Sequence, residues 1–181
     1  MEEYIDILDE KGIFTGKIKE RNAVHRDGDW HKVIQIFIVN EDKILLQQRA
    51  LTKKSDPGKW CASASGHISA GETSYEAAMK EFSEELGINV DKEKLLLVDT
   101  FKSPSITYNK DVKIYNNHFV DLYISTQKVN LEDIKLQKEE VKQVKFYSIE
   151  EFKEMVKTKD ERLTSTPILF EHLLEAIKNY K

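Results

Sequence analysis

Residues 66–88 read GHISAGETSYEAAMKEFSEELGI, and Glu81, Glu84 and Glu85 crowd one short segment of them. Placed on a helix at about 100° per residue, these three carboxylates fall on one flank at i, i+3 and i+4. Like charges at that spacing destabilise a helix by about 0.2–0.5 kcal/mol per pair. A divalent cation reverses the sign, because carboxylate oxygens are natural ligands of Mg²⁺, which takes few protein ligands and leaves positions for substrate phosphates. A plain solvated face is the competing reading of three glutamates taken alone.

The helix that carries them is bounded by its own signals. Thr73 and Glu76 have the capping-box form T-x-x-E, and Gly87 follows Leu86 as a stop, so the spacing predicts a helix over 73–86. Tyr75, Ala78, Met79, Phe82 and Leu86 share the face turned to the core. A loop containing Gly66 and Gly71 is expected before it. Upstream, YIDILDEKGIFTGKIK reads as a hairpin, ERNAVH as a short connection, and KVIQIFIVNEDKILLQQRA as two apolar strands around a turn. LTKKSDPGKWCAS reads as a loop. Downstream, KLLLVDTFKS, VKIYNNHFVDLYIST and VKQVKFYS read as strands, and TFKSPSITYNK (100–110) as a segment lining a pocket. Two helices close the chain, the second with apolar spacing at Ile168, Leu169, Leu173, Leu174 and Ile177. Strands first and last around a central helix imply an α/β fold, a mixed sheet covered by helices on both faces.

The chain has 181 residues, a net charge of −4, 40% hydrophobic and 33% charged residues. That suffices for one domain, and no overall basic field favours a nucleic-acid polymer as partner. The apolar run Val33–Val39 is too short to span a bilayer. MEEYIDILDE lacks the basic start and apolar run of a signal peptide, and the single Cys61 allows no internal disulfide. Both features lead us to expect a cytoplasmic protein without membrane contact.

Gly66, Glu72, Lys80-Glu81, Glu84-Glu85 and Gly87-Ile88 together resemble the Nudix box, with Lys80 in place of the family's arginine. The chain is thereby identified as similar to Nudix hydrolases. The resemblance implies a Nudix-type α/β/α sandwich over 1–181, with residues 1–30 as an N-terminal β-hairpin extension. It implies a Mg²⁺- or Mn²⁺-dependent attack of water on a diphosphate linkage in a small molecule. Glu81, Glu84, Glu85 and the carbonyl of Gly66 would hold the metal, with Glu72 as partner of Lys80. A surface pair of Lys80 with Glu76 is the alternative.

VHRDGDWH, LLQQRALTKKSDPGKW and SASGHISAGE narrow the resemblance to the branch around isopentenyl-diphosphate isomerase. There a cysteine precedes the Gly-His pair, whereas here Ser65 does. The later Glu-x-Glu pair of the isomerase is absent from IYNNHF (114–119). Hydrolysis is therefore expected, with isomerisation and a non-catalytic nucleotide-binding module as alternatives. Arg21, Arg49 and Lys53 match diphosphate-gripping positions, and Glu140, just before a strand, is the candidate general base. Cys61 reads either as a nucleophile or as a small core residue. His25, His31 and His67 match positions that hold a transition metal in the isomerase branch. They form either such a site or a hydrogen-bonded cluster that orders the hairpin, with His118 near by in IYNNHF.

Overall fold

The computed structural model describes residues 2–53, 55–109 and 111–180. Strands β1 (Tyr4–Leu8) and β2 (Phe14–Glu20) form the antiparallel hairpin, and helix α1 (Arg21–Asp27) follows it. The central sheet is built from β3 (His31–Asn40), β4 (Lys43–Arg49), β5 (Trp60–Cys61), β6 (Ala64–His67), β7 (Leu95–Asn109), β8 (Val112–Ser125) and β9 (Val141–Ser148). Helix α2 (Ser74–Leu86) follows β6, and α3 (Ile149–Lys157) and α4 (Pro167–Tyr180) close the chain.

The sheet runs β5-β4-β3-β8-β7, with β6 also paired to β3 and β9 to β4. Its β3–β8 pairing is parallel and the rest antiparallel, so the sheet is mixed as expected. The apolar run in β3 is buried on both sides. Val33 and Phe37 join Phe152, Phe170 and Leu173 of α3 and α4, whereas Ile34, Ile36 and Ile38 join Ala77, Phe82 and Leu86 of α2. Alternation along one strand thus builds both cores of an α/β/α sandwich. Phe82 is fully buried, a contribution of about 1.5–3 kcal/mol from one side chain.

Two expectations need correction, and one strand runs farther than its pattern showed. The segment carrying Gly66 is not a loop but strand β6, in register with Val33–Ile36 of β3. The TFKSPSITYNK segment is the outer half of the long strand β7, paired with β8 from Thr100 to Asn109, while Lys110 lies outside the described residues. Because β7 pairs only with β8, Pro104 removes no ladder bond on a second side. In α4, Ile168 is exposed and Phe170 takes its place in the core.

The hairpin is stitched to the segment before α2. Ala70 N–H donates to Tyr4 O at 2.8 Å, and Gly71 N–H donates to the Asp6 carboxylate at 3.1 Å. Ile5, Ile7 and Val24 form a small third core beneath it.

Candidate active site

Helix α2 delivers the glutamates. The Thr73 hydroxyl accepts from Glu76 N–H while the Glu76 side chain accepts from Thr73 N–H, and Gly87 ends the helix in the left-handed region at φ 66°. Glu81, Glu84 and Glu85 therefore occupy its C-terminal half, where the last turn holds no basic residue. Carboxylates there face the negative end of the helix dipole, which costs about 0.3–1 kcal/mol for each near the terminus. Nothing in local helix stability favours this arrangement.

The three differ in environment. Glu84 is exposed, Glu81 is half-buried and Glu85 is only 5% exposed. Glu85 Oε2 accepts from Ser65 N–H at 2.9 Å and from Gln47 Nε2 at 3.1 Å. Burial pushes its carboxyl up to about 8, against the pull of the Ser65 bond and with added push from Glu81 and Glu140. Burial also raises Glu81 to about 7, opposed by the Lys80 charge and reinforced by Glu84, Glu3 and Glu72.

Glu81 packs directly on Gly66. A Cβ at Gly66 would lie 2.6 Å from Glu81 Cγ, so no other residue leaves that carboxyl in place. Lys80 Nζ donates to Glu72 at 3.1 Å and lies 3.9 Å from Glu81, so the alternative pairing with Glu76 is not formed. Glu72 also accepts from Ser69 N–H at 3.0 Å, which ties the segment before the helix to the helix itself. The lysine thus keeps the orienting contact but supplies a point charge rather than a fork.

A second group of residues approaches from β4 and the segment after it. Lys53 is ion-paired with Glu140, and Ala50 N–H donates to Glu140 O at 2.9 Å. Arg49 donates to Ser55 O at 3.0 Å and to Ser55 Oγ at 3.2 Å. Pairing of β4 with β9 sets Arg49 opposite Val141, which brings Glu140 to this corner. The Glu140 charge reaches Glu85. Arg21, at the start of α1, pairs with Glu3 at 2.8 Å, and Glu3 in turn is close enough for its charge to act on Glu81. Cys61 is a core residue: burial pushes its thiol up to about 12, which leaves no nucleophilic thiolate at neutral pH.

The histidines converge. His25 on α1, His31 on β3 and His67 on β6 come together, and His118 of β8 joins them as a fourth member. One donor atom from each lies within 4.8 Å of every other. The registers explain this: His31 stands opposite His118 across the parallel pair, and His67 opposite Val33. Burial keeps all four imidazoles below their ordinary value, His31 at about 4. Among the described residues this is the one set of three or more potential ligands so closely gathered. A hard cation holding a few carboxylates together with water and phosphate fits carboxyls on one helix flank, and the buried Glu85 carboxyl, bonded to two neutral donors, fits a cationic partner.

A helix of clustered carboxylates, packed on a glycine of a short strand within an α/β/α sandwich, has the form of a Nudix site, and the chain belongs to the Nudix family: the NUDIX domain pattern matches residues 29–166. That match leaves the hairpin, α1 and α4 outside it. Nudix hydrolase 3 of Arabidopsis thaliana is 40% identical over 163 residues, which cover 88% of this chain and 21% of that longer protein. An uncharacterized Nudix hydrolase of Listeria monocytogenes is 38% identical over 152 residues, covering 83% of this chain and 82% of its own length. Proteins named isopentenyl-diphosphate Delta-isomerase also match, at lower identity. The crystal structure of DR0079 from Deinococcus radiodurans shares the fold, with a TM-score of 0.67 at 16% identity over 99% of this chain and 100% of that one. Among the described residues, no helix is long and apolar enough to cross a membrane.

Proposed function

We propose that this chain is a cytoplasmic Mg²⁺- or Mn²⁺-dependent hydrolase, a single Nudix domain with an N-terminal hairpin, that cleaves a diphosphate linkage in a nucleoside diphosphate derivative or a related small metabolite. The observation that carries this reading is the buried Glu85 carboxyl, held beside Glu81 at a helix end that disfavours both. Glu81, Glu84, Glu85 and the Gly66 carbonyl are the ligands. The cation, when bound, neutralises phosphate charge and makes water a stronger nucleophile at neutral pH.

The remaining work belongs to side chains. Lys80, anchored on Glu72, steadies Glu81 from behind. Arg49 and Lys53 grip the diphosphate, Arg49 with its bidentate fork. The Lys53–Glu140 pair couples binding to chemistry. A phosphate oxygen that draws Lys53 away leaves Glu140 free to take the proton of the attacking water. Arg21, on α1 and paired with Glu3, supplies further positive charge toward the phosphates.

The isomerase reading lacks its groups. Ser65 stands at the cysteine position, and Asn116 and His118 stand in the strand that would need two carboxylates. A non-catalytic nucleotide-binding module has no use for a buried carboxyl at such cost.

The test is a panel of nucleoside diphosphate derivatives and related diphosphates, assayed for phosphate or nucleotide release with Mg²⁺ or Mn²⁺. Release that stops in EDTA and in Glu84→Gln supports the proposal. Full release in either, or isopentenyl diphosphate isomerisation in place of hydrolysis, overturns it. On an identified substrate, Arg49→Ala and Lys53→Ala should each raise KM by about tenfold with a smaller loss of turnover, as for groups that bind ground and transition states alike. Unchanged KM in steady-state kinetics of both variants would assign these cations to solvent.

A further inference from the structure

We propose that Gln47 is a positioning residue of the glutamate site: its amide N–H holds Glu85 Oε2 in place, and its carboxamide oxygen accepts a hydrogen bond from the attacking water. This inference rests on the hydrolase reading and adds a residue to it.

Gln47 lies in β4, opposite Cys61 of β5 on one side and Val144 of β9 on the other, so its backbone is fixed from both edges. Leu46 joins the core of α3 and α4, whereas Leu45 joins that of α2. Alternation therefore turns Gln47 to the α2 side with Leu45. The residue is only 2% exposed. A leucine would fill such a place without burying a polar group, so the amide is there for its bonds.

The nitrogen makes one. Gln47 Nε2 donates to Glu85 Oε2 at 3.1 Å, and Ser65 N–H donates to the same oxygen at 2.9 Å. With both bonds on Oε2, the carboxylate is fixed in orientation and its other oxygen is left for the cation. The amide oxygen makes none: Gln47 Oε1 is buried without a hydrogen-bond partner. Turning the amide over does not cure this. A Glu85 that holds a cation is ionised, and the turn would set acceptor against acceptor. Arg49, next on the same face of β4, directs its donors to Ser55. Diphosphate oxygens are acceptors too. The donor that remains is water. An amide orients a water without taking its proton, which leaves that task to Glu140.

The experiment uses the full chain without a histidine tag, stripped of metal and titrated with Mn²⁺, the free ion being read by electron paramagnetic resonance. The equivalent that Glu84→Gln abolishes is the one followed. In Gln47→Met we expect it to be held about 10–100-fold more weakly, with the metal-free melting temperature unchanged. In a Glu85→Gln background the same substitution should cost little further affinity. Gln47→Asn, whose amide ends one methylene short of Glu85, is the second variant and should lose affinity likewise. At saturating Mn²⁺, on a substrate from the diphosphate panel, Gln47→Met should keep a turnover about tenfold low with KM near that of the wild type. Wild-type Mn²⁺ affinity in both variants, or an equal loss with Glu85→Gln present, overturns the hold on Glu85. Full turnover restored by saturating Mn²⁺ overturns the role toward water. Mn²⁺ that binds through Glu84 yet supports hydrolysis of no diphosphate marks failure of the hydrolase reading instead. That outcome removes the water role and leaves the hold on Glu85 to be decided by the affinities.

Discussion

Glu85→Gln should lower turnover by about two orders of magnitude or more while making the metal-free protein no less stable. The amide is isosteric, and its oxygen keeps the bonds from Ser65 N–H and Gln47 Nε2. It removes only the charge that a cation needs. The pH dependence separates this account from a packing defect. In the wild type the folded carboxyl gives up its proton at about 8, against 4.5 for an unperturbed glutamate. Between those values this carboxyl holds its proton in the native state and not in the unfolded one, so its contribution to metal-free stability is greatest below the lower value and falls as pH rises toward the higher. Each pH unit of such displacement corresponds to about 1.4 kcal/mol. In EDTA the wild type should therefore lose stability relative to Glu85→Gln as pH rises from 5 to 8, a difference that Mg²⁺ or Mn²⁺ offsets. Taking the difference cancels the decline that Glu81 adds and the opposing rise from the four depressed histidines. A variant with wild-type turnover, or a stability difference between variant and wild type that does not change across that range, would contradict the role given to Glu85.

Gly66→Ala is the second large effect we expect. The added methyl would collide with the Glu81 side chain, which has to swing away. Overpacking of this kind costs about 1–3 kcal/mol, and displacing a ligand by about 1 Å costs about 100-fold in turnover. Pairing it with Glu81→Ala discriminates the causes. Removing the side chain that the methyl strikes should recover the melting temperature and leave turnover low, a clear departure from additivity. Wild-type kinetics in Gly66→Ala would show that Glu81 is not held where the strand now places it.

Long, periodic elements were legible in the sequence, and short or paired ones were not. The hairpin, β3, β4, α3 and the capped helix α2 follow from alternation, helical spacing and end signals carried by their own residues. Strands β5 and β6 do not. Ala64–His67 is ASGH, too short and too small to show a pattern, and becomes a strand because β3 offers it a partner. The outer half of β7 was hidden by Pro104, which only the edge position explains. For the site, the glutamate spacing was visible directly. The burial of Glu85 and the choice of Glu72 by Lys80 depend on packing that no single segment encodes. The histidines were suggested by family resemblance, but their closeness depends on the β3–β8 and β3–β6 registers, which join residues 42 to 93 positions from His25.

The hairpin's attachment also bears on how this protein can be joined to others. Tyr4 and Asp6 are bonded to residues 70 and 71, and Glu3 is near enough for its charge to lift the Glu81 carboxyl. A domain fused ahead of the hairpin would therefore emerge beside Glu81, where it would crowd the glutamates or supply stray ligands. Helix α4 packs on the opposite side of the sheet with α3, away from α2. A handle joined after α4 accordingly lies on the other side of the sheet from the glutamates.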